Sequence, residues 1–200
     1  DGDGDLDLLL TPNETQTQSA RLLKNDGKGG FTSLSSFVMP KNGAMESVID
    51  AKAADLNGDG KLDLVLTTVV DFFKPGTTQI WINDGLGGFA NETSARLPVQ
   101  VTDDWYTRTQ VVDLNGDGYV DLLTFNSHNQ AAFLNDGSGR FVQLPAGWLG
   151  NNQYDRLVAA DVNGDGRMDV VAWRGVWDGA EQFTVHLAVD AGTSISGGGG

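Results

Sequence analysis

The chain has 200 residues, 27 acidic against 13 basic side chains, a formal net charge of −14 and no cysteine. That charge argues against a nucleic-acid partner or docking on an anionic membrane surface. The lack of thiols excludes a disulfide framework, a thiolate metal site and a cysteine nucleophile, and no run of about 18 apolar residues exists to span a membrane.

The chain opens on Asp1-Gly-Asp-Gly-Asp-Leu-Asp7, then Leu8-Leu9-Leu10, and reaches Asn25-Asp-Gly-Lys-Gly-Gly-Phe31. A fuller copy follows at Asp55-Leu-Asn-Gly-Asp-Gly-Lys-Leu-Asp63, feeding Leu64-Val65-Leu66 and then Asn83-Asp-Gly-Leu-Gly-Gly-Phe89. The third unit carries Asp113-Leu-Asn-Gly-Asp-Gly-Tyr-Val-Asp121 and Asn135-Asp-Gly-Ser-Gly-Arg-Phe141; the fourth carries Asp161-Val-Asn-Gly-Asp-Gly-Arg-Met-Asp169. The last loop acids, Asp7, Asp63, Asp121 and Asp169, are spaced 56, 58 and 48 residues apart, a period in the range of propeller blades.

Asn-Asp-Gly between apolar alternations is a hairpin signal, so each unit reads as four strands. In the second unit these are 48–54, 62–69, 79–83 and 88–97. In the third they are 107–112, 120–125, 131–135 and 140–144, and in the fourth 156–160, 168–173 and 182–189. Helical periodicity is not expected anywhere. The first unit lacks strand 1 and the first loop position, because Asp1 stands at position 3. In the last unit a glycine-rich tail, 196–200, replaces the fourth strand. The chain begins without Met inside a motif, which points to a longer precursor.

Each full loop presents side-chain oxygens at positions 1, 3, 5 and 9 and a main-chain carbonyl at position 7. The predicted metal ligands are Asp55, Asn57, Asp59, Lys61 and Asp63; Asp113, Asn115, Asp117, Tyr119 and Asp121; Asp161, Asn163, Asp165, Arg167 and Asp169; and, in the incomplete first loop, Asp1, Asp3, Asp5 and Asp7. An all-oxygen set of this size suits Ca²⁺, which takes roughly six to eight oxygens. Mg²⁺ prefers a smaller octahedral site, and the lack of His or Cys disfavours zinc. An EF-hand needs Glu at position 12, where this chain has Leu66, Thr124 and Ala172; dockerin-like and thrombospondin-like loops fail on the same residues. A single Asp-Gly turn with solvated acids is the plain alternative, and the repetition argues against it. Thirteen of the 27 acids lie in these loops, and four bound Ca²⁺ would bring the net charge to about −6. Such loops fill where calcium is millimolar, so an extracellular, secreted or cell-surface setting is expected.

With a cation loop between strands 1 and 2 and Asn-Asp-Gly between strands 3 and 4, the chain resembles the FG-GAP/VCBS repeats, the blades of integrin-α-like β-propellers and of many bacterial surface proteins. It departs in lacking Gly-Ala-Pro after Gly-Phe. The resemblance implies an all-β fold, a β-propeller of four-stranded antiparallel blades. About four blades are present, as part of a larger ring that in this family is usually seven-bladed, within the general range of four to eight. Blade one is partial over 1–39, blade two covers 44–97, blade three 103–145 and blade four, also partial, 152–195. The remaining blades would come from the same longer chain or from another copy.

The resemblance also implies that the cation loops and Asn-Asp-Gly turns share one face, and that the opposite face recognises a partner. Val48/Asp50, Tyr106/Arg108 and Tyr154/Arg156 align seven and five residues before the first loop Asp. With Trp105, Trp148 and Trp177, and with Phe72, Phe73, Asn151 and Asn152 nearby, Tyr106, Arg108, Tyr154 and Arg156 form a candidate protein- or glycan-binding set, since Trp, Tyr and Arg dominate hot spots. The packing alternative is that these aromatics fill gaps between blades, as expected for Trp81 and Trp173 inside strands. Catalysis lacks a Gly-x-Ser-x-Gly elbow, and neither His128 nor His186 lies in a nucleophile context; Ser127-His128 reads as a turn. The expected function is non-catalytic, calcium-stabilised adhesion or recognition. The alternatives are an accessory propeller of a secreted carbohydrate-active enzyme and a filament component.

Overall fold

A computed structural model describes residues 1–11, 20–34, 37, 47–69, 77–98, 107–126, 129–149, 154–175 and 182–188. Its strands form four antiparallel sheets in chain order. The first holds β1 (Leu8–Leu10), β2 (Arg21–Asn25) and β3 (Phe31–Ser33). The second holds β4 (Ser47–Ala54), β5 (Asp63–Val69), β6 (Thr77–Asn83) and β7 (Phe89–Asn91), followed by one helical turn, α1 (Thr93–Arg96). The third holds β8 (Arg108–Val112), β9 (Asp121–Phe125), β10 (Gln130–Asn135) and β11 (Phe141–Gln143). The fourth holds β12 (Arg156–Ala160), β13 (Asp169–Arg174) and β14 (Gln182–His186).

In the second and third units the second strand is buried on both faces, and its residues divide by parity. Leu64 and Leu66 join Trp81 in a core with Leu9, Leu22 and Phe37 of the first unit, whereas Val65 joins Ile80 in a core with Leu122, Phe133 and Phe141 of the third sheet. Leu123, Phe125 and Ala132 on the other side of the third sheet meet Leu157, Val170 and Ala172 of the fourth. The core is therefore three layers between four sheets, and each fully buried Leu or Phe contributes about 1.5–3 kcal/mol. Because β8 lies against both β4 and β12, consecutive sheets converge on their first strands.

Polar groups fasten the same interfaces. Gln110 donates from Nε2 to the Leu157 carbonyl (2.6 Å) and accepts the Ala159 N–H at Oε1 (3.0 Å), acting as a short extra strand between β8 and β12. A bulge between Val48 and Asp50 puts these two residues on opposite sides of β4. Val48 faces the first unit, and Asp50 Oδ2 accepts the Thr109 N–H of the third sheet at 2.9 Å.

The expected fourth strand of the second unit is shorter, and α1 replaces its end. Asn91 Oδ1 accepts the N–H and the hydroxyl of Thr93 (3.1 and 2.7 Å), while Thr93 Oγ1 takes the Ile80 N–H at 2.9 Å. These side-chain bonds divert the backbone from the ladder. A four-residue turn carries no hydrophobic period, which is why the sequence pattern did not reveal it.

Candidate metal loops and the opposite face

Loops 55–63, 113–121 and 161–169 share one hydrogen-bond pattern. Asp55 Oδ1 accepts the Gly58 and Asp59 N–H groups (2.8 and 3.2 Å), and Oδ2 accepts that of Gly60 at 2.8 Å. Asn57 Oδ1 and Asp59 Oδ1 accept the N–H groups of Asp59 and Lys61 (3.1 and 3.0 Å). Asp113 and Asp161 repeat the first pattern; Asn115, Asp117, Asn163 and Asp165 repeat the second. The curl requires left-handed backbone at Gly58 (φ 75°) and Gly60 (φ 82°), which glycine adopts without strain.

The acid at position 9 does something different. Asp63, Asp121 and Asp169 are fully buried at the start of the second strand. Asp63 accepts the Leu56 N–H at Oδ2 (3.1 Å) and the Asn83 N–H at Oδ1 (2.9 Å), tying the loop to the end of the third strand. Asp121 does the same with Leu114 and Asn135 (both 2.8 Å), and Asp169 with Val162 and Ala188 (3.0 and 2.7 Å). Burial pushes the Asp121 carboxyl up to about 6 and raises that of Asp63, with the two backbone N–H donors opposing. At the loop rim the balance reverses, because the Lys61 N–H, aided by the Lys61 side chain, holds Asp59 below the usual carboxylate range.

Asn-Asp-Gly turns lie at the same end of the sheets. Asn83 Nδ2 donates to the Leu62 carbonyl (2.9 Å), and Asn135 Nδ2 donates both to Val120 (3.0 Å) and to Leu56 of the preceding sheet (2.8 Å). Position 7 roofs the turn. A Cβ on Gly85 would meet the Lys61 side chain at 2.6 Å, and one on Gly137 would meet the Tyr119 ring at 2.6 Å. These turn asparagines and the Gln110 clamp were not predicted as linking residues. The repeated Asn was the visible signal for the first, and a lone Gln in a strand offered none for the second.

The chemistry of the donor set fits a hard cation, since positions 1, 3, 5 and 9 offer carboxylate and amide oxygens, and each side chain keeps at least one oxygen with a lone pair beyond its backbone bonds. Among the described residues, however, no group of three or more His, Cys, Asp or Glu side chains stands assembled to hold a metal ion. The three full loops also differ in counter-charge. Lys61 and Arg167 fold back onto Asp59 and Asp165 at 3.3 and 3.1 Å, but Tyr119 puts no cation on Asp117. In the first loop Lys24 pairs with Asp1 and, at 3.1 Å, with Asp3.

Of the residues expected on the opposite face or in its connections, Trp105, Tyr106, Trp177, Phe72, Phe73, Ser127, His128, Asn151 and Asn152 lie outside the described residues. Arg108 and Arg156 are exposed at the starts of β8 and β12. Tyr154 is not a surface residue. It is buried in the core between the third and fourth sheets, with its hydroxyl 3.1 Å from His186 Nε2. It aligns with the buried Val48, so the position seven residues before the loop is an inter-sheet core position in both blades. Trp148 packs half-buried against that same core. Trp81 is core as expected, whereas Trp173 is only half-buried, on the face of the fourth sheet turned away from the third.

The FG-GAP-like repeat matches this chain three times, over residues 1–66, 55–124 and 113–172. Among solved structures, the chain is similar to an Agrocybe aegerita lectin described by its specific recognition of non-reducing terminal N-acetylglucosamine. The TM-score is 0.57 at 23% identity, over 96% of this chain and 51% of the lectin, so the chain spans about half of that protein's length. No curated protein matches.

Proposed function

The chain belongs to the FG-GAP-like repeat family, and from that premise we propose that it is an extracellular, non-catalytic recognition module whose propeller face opposite the loops binds a glycan. One observation carries the reading: the cation loops and the Asn-Asp-Gly turns occupy one end of the sheets, so the other end is left for a ligand. Similarity of fold to a lectin supports a sugar as that ligand. Calcium at Asp55, Asn57, Asp59 and Asp63, and at the matching residues of the other loops, would brace the hairpin between strands 1 and 2. Its role is structural, since every proposed ligand already holds backbone.

A glycan array that includes N-acetylglucosamine-terminated chains tests this, with Trp105→Ala and Arg108→Ala beside the unchanged protein. Tyr154 is left intact because its loss would open the core. The expected result is a defined glycan class retained by the wild type and lost in both variants. Retention of no glycan, or of the same profile in both variants, would sink the reading.

A further inference from the structure

Two adjacent cation loops are joined by one chain of hydrogen bonds. In the second unit Asp63 Oδ2 accepts the Leu56 N–H at 3.1 Å, and the carbonyl of the same Leu56 accepts Asn135 Nδ2 of the third sheet at 2.8 Å. In the third unit Asp121 Oδ1 accepts the Asn135 N–H at 2.8 Å, and Asn135 Nδ2, which carries two hydrogens, also donates to the Val120 carbonyl at 3.0 Å. The path therefore runs Asp63, Leu56, Asn135, Asp121, from the position 9 acid of one loop to that of the next. All four residues are at most 4% exposed. Water does not compete for these bonds, and the low local dielectric strengthens them.

The surroundings hold this path in place. Leu56 is plugged into the apolar core with Leu122, Phe133 and Phe141 of the third sheet. Asn135 Oδ1 accepts the Gly137 and Gly139 N–H groups, both at 3.0 Å, which fixes the orientation of its amide. A Cβ on Gly139 would meet the Leu56 carbonyl at 3.2 Å and the Asn57 side chain at 3.4 Å, so the turn 135–141 lies directly on loop 55–63. Two arginines cross the joint in opposite directions: Arg96 donates to the Ser138 carbonyl at 2.7 Å, and Arg140 to that of Ala95 at 3.3 Å. The next pair of loops lacks the bridge. In the fourth unit the residue whose N–H meets the position 9 acid is Ala188, which has no amide to offer loop 113–121.

We propose that Asn135 is a positioning residue shared by loops 55–63 and 113–121, so that filling either loop with a cation raises the affinity of the other. The inference rests on the reading of these loops as calcium sites. Filling one loop orders its position 9 carboxylate, and through Leu56 and Asn135 that order reaches the position 9 carboxylate of the other. The cost of ordering is met once, so the second ion binds more tightly. Such coupling is reciprocal and typically amounts to about 5–150-fold in affinity.

Tyr119, at position 7 of loop 113–121, supplies a local reporter, because Tb³⁺ takes calcium sites and its emission is sensitised by an adjacent tyrosine. The Tb³⁺ emission lost in Tyr119→Phe belongs to this loop, and its titration in the full chain gives the loop's affinity. Asp59→Ala, which removes an exposed ligand from loop 55–63, should weaken Tb³⁺ binding at loop 113–121 by about fivefold or more. Asp165→Ala, the same change of charge in loop 161–169, should not weaken it. Asn135→Asp keeps the acceptor for Gly137 and Gly139 but removes the bridging donor, so loop 113–121 should become indifferent to Asp59→Ala. If that variant fails to fold by its far-ultraviolet spectrum, the contrast between Asp59→Ala and Asp165→Ala decides alone. Equal effects of those two, or none from Asp59→Ala, would overturn the coupling and leave the loops as calcium sites. A complete lack of Tyr119-dependent emission would overturn the coupling and the calcium reading together.

Discussion

The second and fourth sheets are built on the same nine-residue loop and the same apolar second strand, yet they end in different environments. Val65 is buried between the second and third sheets; Val171, at the same place in its repeat, is half-exposed on the face of the fourth sheet turned away from the third. The repeat thus encodes a sheet with two apolar faces, and each face is buried by the next unit rather than by its own residues.

The largest expected effect separates a covered face from an open one. Phe133→Ala, between the second and third sheets, should cost about 3–5 kcal/mol, and Val185→Ala should stay within about 0.5 kcal/mol of wild type. Urea unfolding of the two variants measures both, and equal losses would erase the distinction between the faces.

Calcium removal tests the loops themselves. Each occupied loop adds about 2.7 kcal/mol at a hundredfold excess over Kd, so EGTA should lower Tm strongly. A melting curve indifferent to EGTA would deny calcium any structural role.

The same comparison extends to the carboxylate that ties loop to sheet. In EGTA, Asp121→Ala should cost about 1–3 kcal/mol for each buried N–H left unpaired at Leu114 and Asn135. Asp7→Ala should cost less, because Asp7 is only half-buried.

The smallest effect lies within β14, whose His186 is buried against Tyr154 while Val185 faces outward. Burial pushes the His186 imidazole below its ordinary value of 6.5, so the unfolded chain takes up a proton first as the pH falls. Stability should therefore drop below about pH 6.5 and level off once the folded imidazole also protonates. Asp121, raised to about 6, contributes with the opposite sign as it protonates. The difference between wild type and His186→Gln isolates the histidine. Equal pH dependence of the two would mean that His186 is not desolvated in the folded chain.

The loops, the turns and most strands were legible in the sequence, because their signals are local. Asp-x-Asn-Gly-Asp-Gly fixes its own curl through side-chain acceptors and glycines a few residues away, and Leu64-Val65-Leu66 reads as a doubly covered strand wherever it sits. Tyr154 was not legible in the same way. Tyr-x-Arg reads equally well as a binding motif, and only the facing sheet decides that the ring is buried and the guanidinium exposed. The Gln110 clamp was hidden for the same reason, since its partners lie 47 and 49 residues away.

By itself, then, the sequence determined the repeat, the all-β class and an oxygen-lined loop at one end of every unit, since each rests on contacts within a few residues. Tertiary structure alone decided that Asp63, Asp121 and Asp169 are buried ties between loop and third strand, that Tyr154 belongs to the core, and that Gln110 clamps the third sheet to the fourth. Those properties depend on which sheet lies opposite, and no single repeat carries that information.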